Sequence, residues 1–478
     1  MLRVAASLVT AIAMACSNEG FARDVDARDG DAPVTTARLR ADEGARGADL
    51  VALMTAAHGA PPLVCAIAAE AIGNYSWRNS SSGAPKTPLA AYAYPSRSSQ
   101  TDLDIMESET GRRARLLSDE DVKLLVGNLS SDDLCVRDLS VRIVANDRRD
   151  ETAAVLAERL TAADSAVREV VTFGLGLMVR RNTVAPLMTS LRDRASGVRA
   201  NSAWALGRLR DGRAYEGLAS ALTDRAPLVR EATIGALGRM DSSRVIPQIV
   251  RILQQDEVAS VRRVAAWALG ELNAESATGA LTQALARDKE ATVREMSAWA
   301  LAEVHARDGV PALITAVQQD ASPAVRETAA WALGELEDAR AALTLGAVML
   351  AESNARVRGT AAWALGQLKV RTAPPGLLKA LEDESDDLRL KASWALSEIR
   401  DVAAVPALKT ALAKETHADA RRAQVRAIVA SGGRNEAILT DLLSSKDAQV
   451  REAAVRGLAG RSSMNPWPWP WPRPRPFP

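Results

Sequence analysis

An arginine recurs along the chain at positions 137, 168, 199, 230, 262, 294, 326, 358, 389, 422 and 451, each within a version of the segment Val-Arg…Ala-Trp-Ala-Leu-Gly. Successive copies are 31, 31, 31, 32, 32, 32, 32, 31, 33 and 29 residues apart. A period of this length holds two short helices and their turns. Such a unit cannot bury its apolar faces alone, so neighbouring units must stack. The unit around Arg326 shows the pattern. Asp308-Gly309-Val310-Pro311 opens a first helix with Pro311 in its first turn, and Val310, Leu313, Ile314 and Val317 form one apolar stripe. Asp320-Ala321-Ser322-Pro323 breaks the chain; Ser322 is placed to cap a second helix and Pro323 to start it. In that helix Val325, Ala329, Ala332, Leu333 and Leu336 share a face. Gly334, near the end, either admits a neighbouring helix closely or helps the helix stop.

The pattern predicts an all-α, right-handed α-solenoid of about twelve two-helix repeats over residues 49–460. The 478 residues therefore need not divide into three ordinary domains. With 47% hydrophobic but only 4% aromatic residues, the core must be aliphatic. Sixty Lys plus Arg against 59 Asp plus Glu give no support to a nucleic-acid-binding tract. A degenerate first unit lies upstream, with Leu50 to Ala57 as its first helix and Val64 to Gly73 as its second. Residues 76–110, rich in Ser, Pro, Gly and Tyr, read as an irregular insertion, and 23–48 as a flexible lead-in.

These repeats resemble the short HEAT-like repeats first noted in phycobilin lyase subunits. The resemblance covers nearly all of 49–460 and implies a solenoid that serves as a scaffold or binding platform. Similar arrays are appended to membrane sensor metallopeptidases, but this sequence has no HExxH and no transmembrane bundle.

An acid stands six residues before most of the repeated arginines: Asp193, Asp224, Asp256, Asp288, Asp320, Glu352 and Asp383. An acid in the turn and an Arg one helical turn on can bridge helix ends within and between repeats, as the resembling pair does in HEAT families. The acid–arginine ladder is therefore assigned to stacking.

Trp204, Trp267, Trp299, Trp331, Trp363 and Trp394 occupy one slot of the second helix. At about 100° per residue, Trp331 falls about 140° from the core face. One turn later come Arg208, Glu271, Glu303, Glu335, Gln367 and Glu398. Second helices line the concave side of a HEAT-type superhelix, so two readings stand. In the first, the spacing resembles armadillo repeats, in which a Trp and an Asn one turn apart clamp an extended peptide. Glu in place of Asn would favour a cationic ligand. The second has each indole packing against the next unit. The first makes Trp204, Trp267, Glu271, Trp299, Glu303, Trp331, Glu335, Trp363, Gln367, Trp394 and Glu398 the candidate partner-binding residues.

At the N-terminus, Arg3 and the apolar stretch Val4 to Ala15 read as a signal peptide ending at Ala15 or Ala22, too short to span a membrane. Lipidation of Cys16 is the lesser alternative, because Ala13-Met14-Ala15-Cys16 lacks the usual Leu. The expected location is periplasmic or secreted. An oxidising compartment permits a disulfide between Cys65 and Cys135, in the second helices of adjacent units. It would close a 70-residue loop and contribute about 4 kcal/mol; the alternative is two small core thiols. The tail, 461–478, alternates Pro with Trp467, Trp469, Trp471, Arg473 and Arg475, which favours extended polyproline II. It resembles Trp/Pro-rich antimicrobial peptides in composition. It offers a membrane-interface anchor, a polyproline ligand for a partner, or a segment that folds back on the chain's own groove.

His58, His305 and His417 fall in different units at different phases, so no metal site, catalytic residue or cofactor is expected. The expected function is a non-catalytic protein- or peptide-binding scaffold. A lyase-type accessory subunit acting on a bound chromophore or cofactor, and membrane or envelope attachment through the tail, are the alternatives.

Overall fold

A computed structural model of the chain describes residues 43–61, 65, 117–147, 149–240, 243–368, 370–432, 440 and 442–458. The stretches read as a signal peptide, an insertion and a Trp-Pro tail, and most of the helix read at Val64 to Gly73, lie outside them. No strand occurs among the described residues. The chain forms two compact units, one ending at Met240 and one starting at Asp241.

In the first unit, α1 (Glu43–Ala57) precedes four helix pairs. They are α2 (Asp119–Asn128) with α3 (Leu134–Ala145), α4 (Asp150–Glu158) with α5 (Ser165–Met178), α6 (Val184–Ser190) with α7 (Ser196–Leu209), and α8 (Tyr215–Ala221) with α9 (Pro227–Arg239). α1 begins at Glu43, inside the segment expected to be a lead-in, and buries Leu50, Leu53, Met54 and Ala57. The second unit has α10 (Ile246–Gln255) with α11 (Ala259–Glu271), α12 (Thr278–Arg287) with α13 (Ala291–Glu303), α14 (Val310–Gln319) with α15 (Pro323–Glu335), and α16 (Ala342–Ala351) with α17 (Ala355–Gln367). It continues with α18 (Pro375–Lys379), α19 (Asp386–Ile399), α20 (Val405–Lys414), α21 (Ala418–Gly432) and α22 (Ala448–Leu458).

The core follows the apolar stripes. Val310, Leu313 and Val317 of α14 are buried against Val325, Ala329, Ala332 and Leu333 of α15, while Ile314 is only half-buried. Within each unit, second helices pack directly on one another and first helices touch far less. This packing buries a second helix on more sides than a one-stripe reading allows: Thr328, Ala330, Trp331 and Gly334 are buried along with the expected face.

Helix starts depart from expectation in one detail. The hydroxyl of Ser322 makes no cap bond. Instead the Asp320 carboxylate accepts from the Ser322 N–H at 2.8 Å. Helix ends depart in another. The left-handed residue that stops the second helices is not the glycine but the residue eleven after the arginines at 168, 199, 262, 294, 326 and 389: Val179, Arg210, Asn273, His305, Glu337 and Arg400, with φ from 47° to 57°. Val179 is the costly member, because a β-branched side chain crowds the backbone at φ 52°. Val179→Gly is expected to raise stability by about 1 kcal/mol, read as a higher urea midpoint at unchanged slope. A lower midpoint would show that the side chain's packing outweighs the strain.

Candidate interaction face of the second helices

The ladder assigned to stacking spans repeats in a fixed way. Arg294 donates from Nε and Nη2 to the two oxygens of Asp320, one repeat on, at 2.6 and 2.9 Å. Its Nη1 donates to the backbone carbonyl of Asp288, in its own repeat, at 2.9 Å. Arg168–Asp193, Arg199–Asp224, Arg262–Asp288, Arg326–Glu352 and Arg389–Glu415 repeat the arrangement at 2.7 Å, and Arg358–Asp383 does so more loosely at 3.3 Å. Each acid thus joins three things: the preceding repeat's guanidinium, the following helix start and its own turn. The guanidinium hydrogen bonds hold Asp193, Glu352 and Glu415 below the usual carboxylate range, Glu415 at about 2. Asp224, Asp288 and Asp320 are lowered as well: burial opposes ionisation there, but the hydrogen bonds and the positive charge of the facing arginine outweigh it.

The structure corrects one register. Near the C-terminus the ladder arginine is Arg421, not Arg422. Arg421 bonds the Glu415 carbonyl and the Asp447 carboxylate, whereas Arg422 pairs with Asp419 at i−3. Glu415 is consequently the acid of that repeat, six residues before Arg421; a spacing taken to the adjacent Arg422 hides it.

The tryptophans do not form an open row. Trp204, Trp267, Trp299, Trp331 and Trp363 each expose less than a tenth of their surface, and Trp394 is half-buried. The glycine near the end of one second helix makes the hole for the next repeat's indole. A Cβ on Gly176, Gly270, Gly334 or Gly366 would stand 2.4 to 2.7 Å from Cζ3 of Trp204, Trp299, Trp363 or Trp394. The repeated Gly and Trp are therefore two halves of one contact between successive repeats, the packing alternative of the two readings. Phe173 fills the same slot in the preceding repeat and stacks on Trp204 at 5.5 Å. Arg142 and Arg208 lie over the two rings. Phe173 stands five residues after Arg168, the slot Trp204 holds after Arg199, so its position is legible in the sequence although its residue type differs.

What the second-helix face presents to solvent is its polar row. In the second unit, Glu335 and Glu398 are exposed, and Glu271, Glu303 and Gln367 are half-exposed. Glu295 and Glu327 form a parallel row one turn before the indoles; Arg356 reaches Glu327 at 3.0 Å. Partial burial and then the negative charge of Glu327 push the Glu295 carboxyl up. Loss of hydration beside the neighbouring helices, then Glu303 and Glu337, do the same to the exposed Glu335. Carboxylates on successive repeats thus stand close enough to repel. The first unit differs: Arg142 and Arg208 sit on its second-helix face, and Arg208 donates to the Gly176 carbonyl at 3.0 Å.

The sulfurs of Cys65 and Cys135 are in bonding position, with Cα atoms 5.6 Å apart. Beside them the Gly59 N–H donates to Asp133 at 2.7 Å, which ties the end of α1 to the start of α3. Among the described residues no group of three His, Cys, Asp or Glu is arranged to hold a metal ion, and no helix is long and apolar enough to cross a membrane.

An array of stacked two-helix units joined by this ladder is the architecture of a repeat scaffold. The family model for HEAT repeats matches residues 153–236, 215–302, 278–358 and 342–429, more than half of the chain. The chain belongs to the HEAT-repeat proteins. No curated protein matches it by sequence. Among solved structures, importin beta is similar at 13% identity and a TM-score of 0.55, over 95% of this chain and 64% of that one. An engineered protein is 22% identical over 71% of this chain and 98% of its own, with a TM-score of 0.40. Human deoxyhypusine hydroxylase is 18% identical over 52% and 96%, with a TM-score of 0.24. The likeness to importin beta speaks to fold alone.

Proposed function

We propose that the chain is a non-catalytic binding scaffold whose second unit holds a cationic, extended protein segment along the second-helix face, and that it works outside the cytoplasm. The observation that carries this reading is the row Glu271, Glu303 and Glu335, with Glu295 and Glu327 beside it, in which Glu303 opposes ionisation of Glu335 and Glu327 opposes that of Glu295, the latter partly offset by Arg263 and Arg356. Such repulsion is a cost in the free protein, and a bound cation turns it into attraction. The buried indoles supply the rigid floor between the carboxylates rather than an open clamp. Gln367 and Glu398 extend the row, and Trp204 belongs to the first unit, where the facing charges are basic. Location rests solely on reading Arg3 and Val4 to Ala15 as a signal peptide.

Stacked helices are spaced about 10 Å apart, close to three residues of extended chain. A labelled (Arg-Ala-Ala)4 peptide is the corresponding probe. Binding is expected to weaken with salt and to fall about tenfold in Glu303→Gln/Glu335→Gln, since two rim pairs of up to about 0.7 kcal/mol each amount to that factor. Affinity unchanged in that variant, with its fold intact, would sink the reading. The raised carboxyls add a pH signature. A bound cation favours the ionised form, so binding must release protons, and affinity must fall on acidification sooner than ordinary glutamates would require. Calorimetry in buffers of different ionisation enthalpy measures that release.

A further inference from the structure

The outward face of α16 is unlike that of any other ten-residue first helix of the second unit. Its solvent-facing positions are Leu343, Ala347, Leu350 and Ala351, with Leu343 83% and Leu350 50% exposed. The equivalent exposed positions are Pro311, Thr315, Gln318 and Gln319 in α14, and Gly279, Gln283, Ala286 and Arg287 in α12. In α10 they are Pro247, Arg251, Gln254 and Gln255, and in α20 Pro406, Thr410, Ala413 and Lys414. Leu345, Val348 and Met349 bury the inward face of α16, so Leu343 is not needed by the core, and Leu350 packs only its inner edge, beside Gly376.

We propose that this stripe docks the chain's own C-terminal segment, Pro466–Pro478. Size decides against larger occupants. Two leucines and two alanines on a helix about 15 Å long fall far short of the roughly 1,200 Å² a stable interface between separate molecules buries. Intrinsic affinity for so small a patch is about millimolar. That suffices only for a tethered ligand, whose effective concentration is itself about millimolar.

The tail has the matching chemistry. In polyproline II, which turns once every three residues, Pro468, Trp471, Pro474 and Phe477 would fall on one facet. That facet is wholly apolar, and Arg473 and Arg475 fall on the other two. One turn rises about 9.3 Å; Leu343 and Leu350, seven residues apart on a helix, are separated by about 10.5 Å. Reach is sufficient. α22 ends at Leu458, three repeats beyond α16 in the same unit, or about 30 Å at the spacing of packed helices. The thirteen residues from there to Trp471 span about 40 Å in extended form. The proposal is independent of the acidic face.

The test is acrylamide quenching of tryptophan fluorescence in the full chain, with a chain ending at Met464 subtracted to isolate the tail. Tail tryptophans in the native chain are expected to quench at least about threefold less than in the free peptide 465–478. Leu343→Glu/Leu350→Glu, at exposed positions, should restore the free-peptide value. Trp471→Ser/Phe477→Ser, which leaves every repeat untouched, should release Trp467 and Trp469 in the same way. Tail tryptophans that quench like the free peptide in the native chain would overturn the proposal. So would protection that survives both variants, that appears only with added phosphatidylglycerol vesicles, or that accompanies a dimer in sedimentation which the leucine variant converts to monomer.

Discussion

Trp363→Ala is expected to destabilise the second unit by about 3–5 kcal/mol, the cost of emptying a fully packed aromatic site. Trp363 is 2% exposed, the most deeply buried of the repeat tryptophans. The site is made by subtraction: Gly334 has no Cβ, and a Cβ there would lie 2.6 Å from the indole and 3.0 Å from the Ala364 Cα. Gly334→Ala should therefore also destabilise, by about 1–3 kcal/mol through overpacking. The double variant should cost less than the two singles together, because the new methyl occupies part of the emptied space. Hydrogen exchange over α15 and α17 is the appropriate measurement, since a stacked array need not unfold as one unit. A Trp363→Ala chain with native protection in both helices would show that the indole is not a structural element, and would return it to the list of ligand contacts.

Glu415→Ala is expected to cost about 2–3 kcal/mol, by leaving the half-buried Arg389 guanidinium without its carboxylate. The Glu415 side chain is 1% exposed and takes both Nε and Nη2 of Arg389. It also accepts from the Thr416 and His417 backbone N–H groups and from Gln424. Arg389→Met/Glu415→Leu should recover much of the loss, because a well-packed apolar pair no longer buries a lone charge. The same ladder fixes the acid limit. A carboxyl whose folded pKa is depressed contributes stability that is complete above its unfolded value and is lost as pH falls through the folded one. For Glu415 that window runs from about 4.5 down to about 2. The lowered acids at 193, 224, 288, 320 and 352 add to it in the same direction. Acid unfolding should accordingly start below about pH 4.5 and shift to higher pH in Glu415→Ala. Stability flat between pH 5 and 2 would contradict the assignment of the ladder to stacking.

Much of this was legible in the chain because a repeat shows the same physical problem eleven times. A Val, Ala or Leu at a fixed phase of every second helix has one explanation, a core. An Arg with a turn acid at fixed spacing has few others, but the structure pairs each guanidinium with the acid 25 or 26 residues later and takes only the backbone carbonyl of the acid six residues earlier. The errors fall where the pattern degenerates. Two adjacent arginines at 421 and 422 leave the register to be set by which side chain reaches Asp447. A residue such as Val179 at a left-handed helix end carries no turn signature at all.

The helical wheel placed Trp331 away from the core of its own repeat, and within one repeat that placement is right. Sequence by itself determined the period, the two helices of each unit, the acid–arginine stacking pair and the row of glutamates one turn beyond the indoles. Only the tertiary structure decided that the indoles are covered, because the surface that covers them belongs to the preceding repeat. A wheel describes one helix, whereas burial depends on the distance between two. At Trp204, Trp299, Trp363 and Trp394 the missing side chain of a glycine some thirty residues earlier sets that distance, while before Trp331 the same position is the small Ala302.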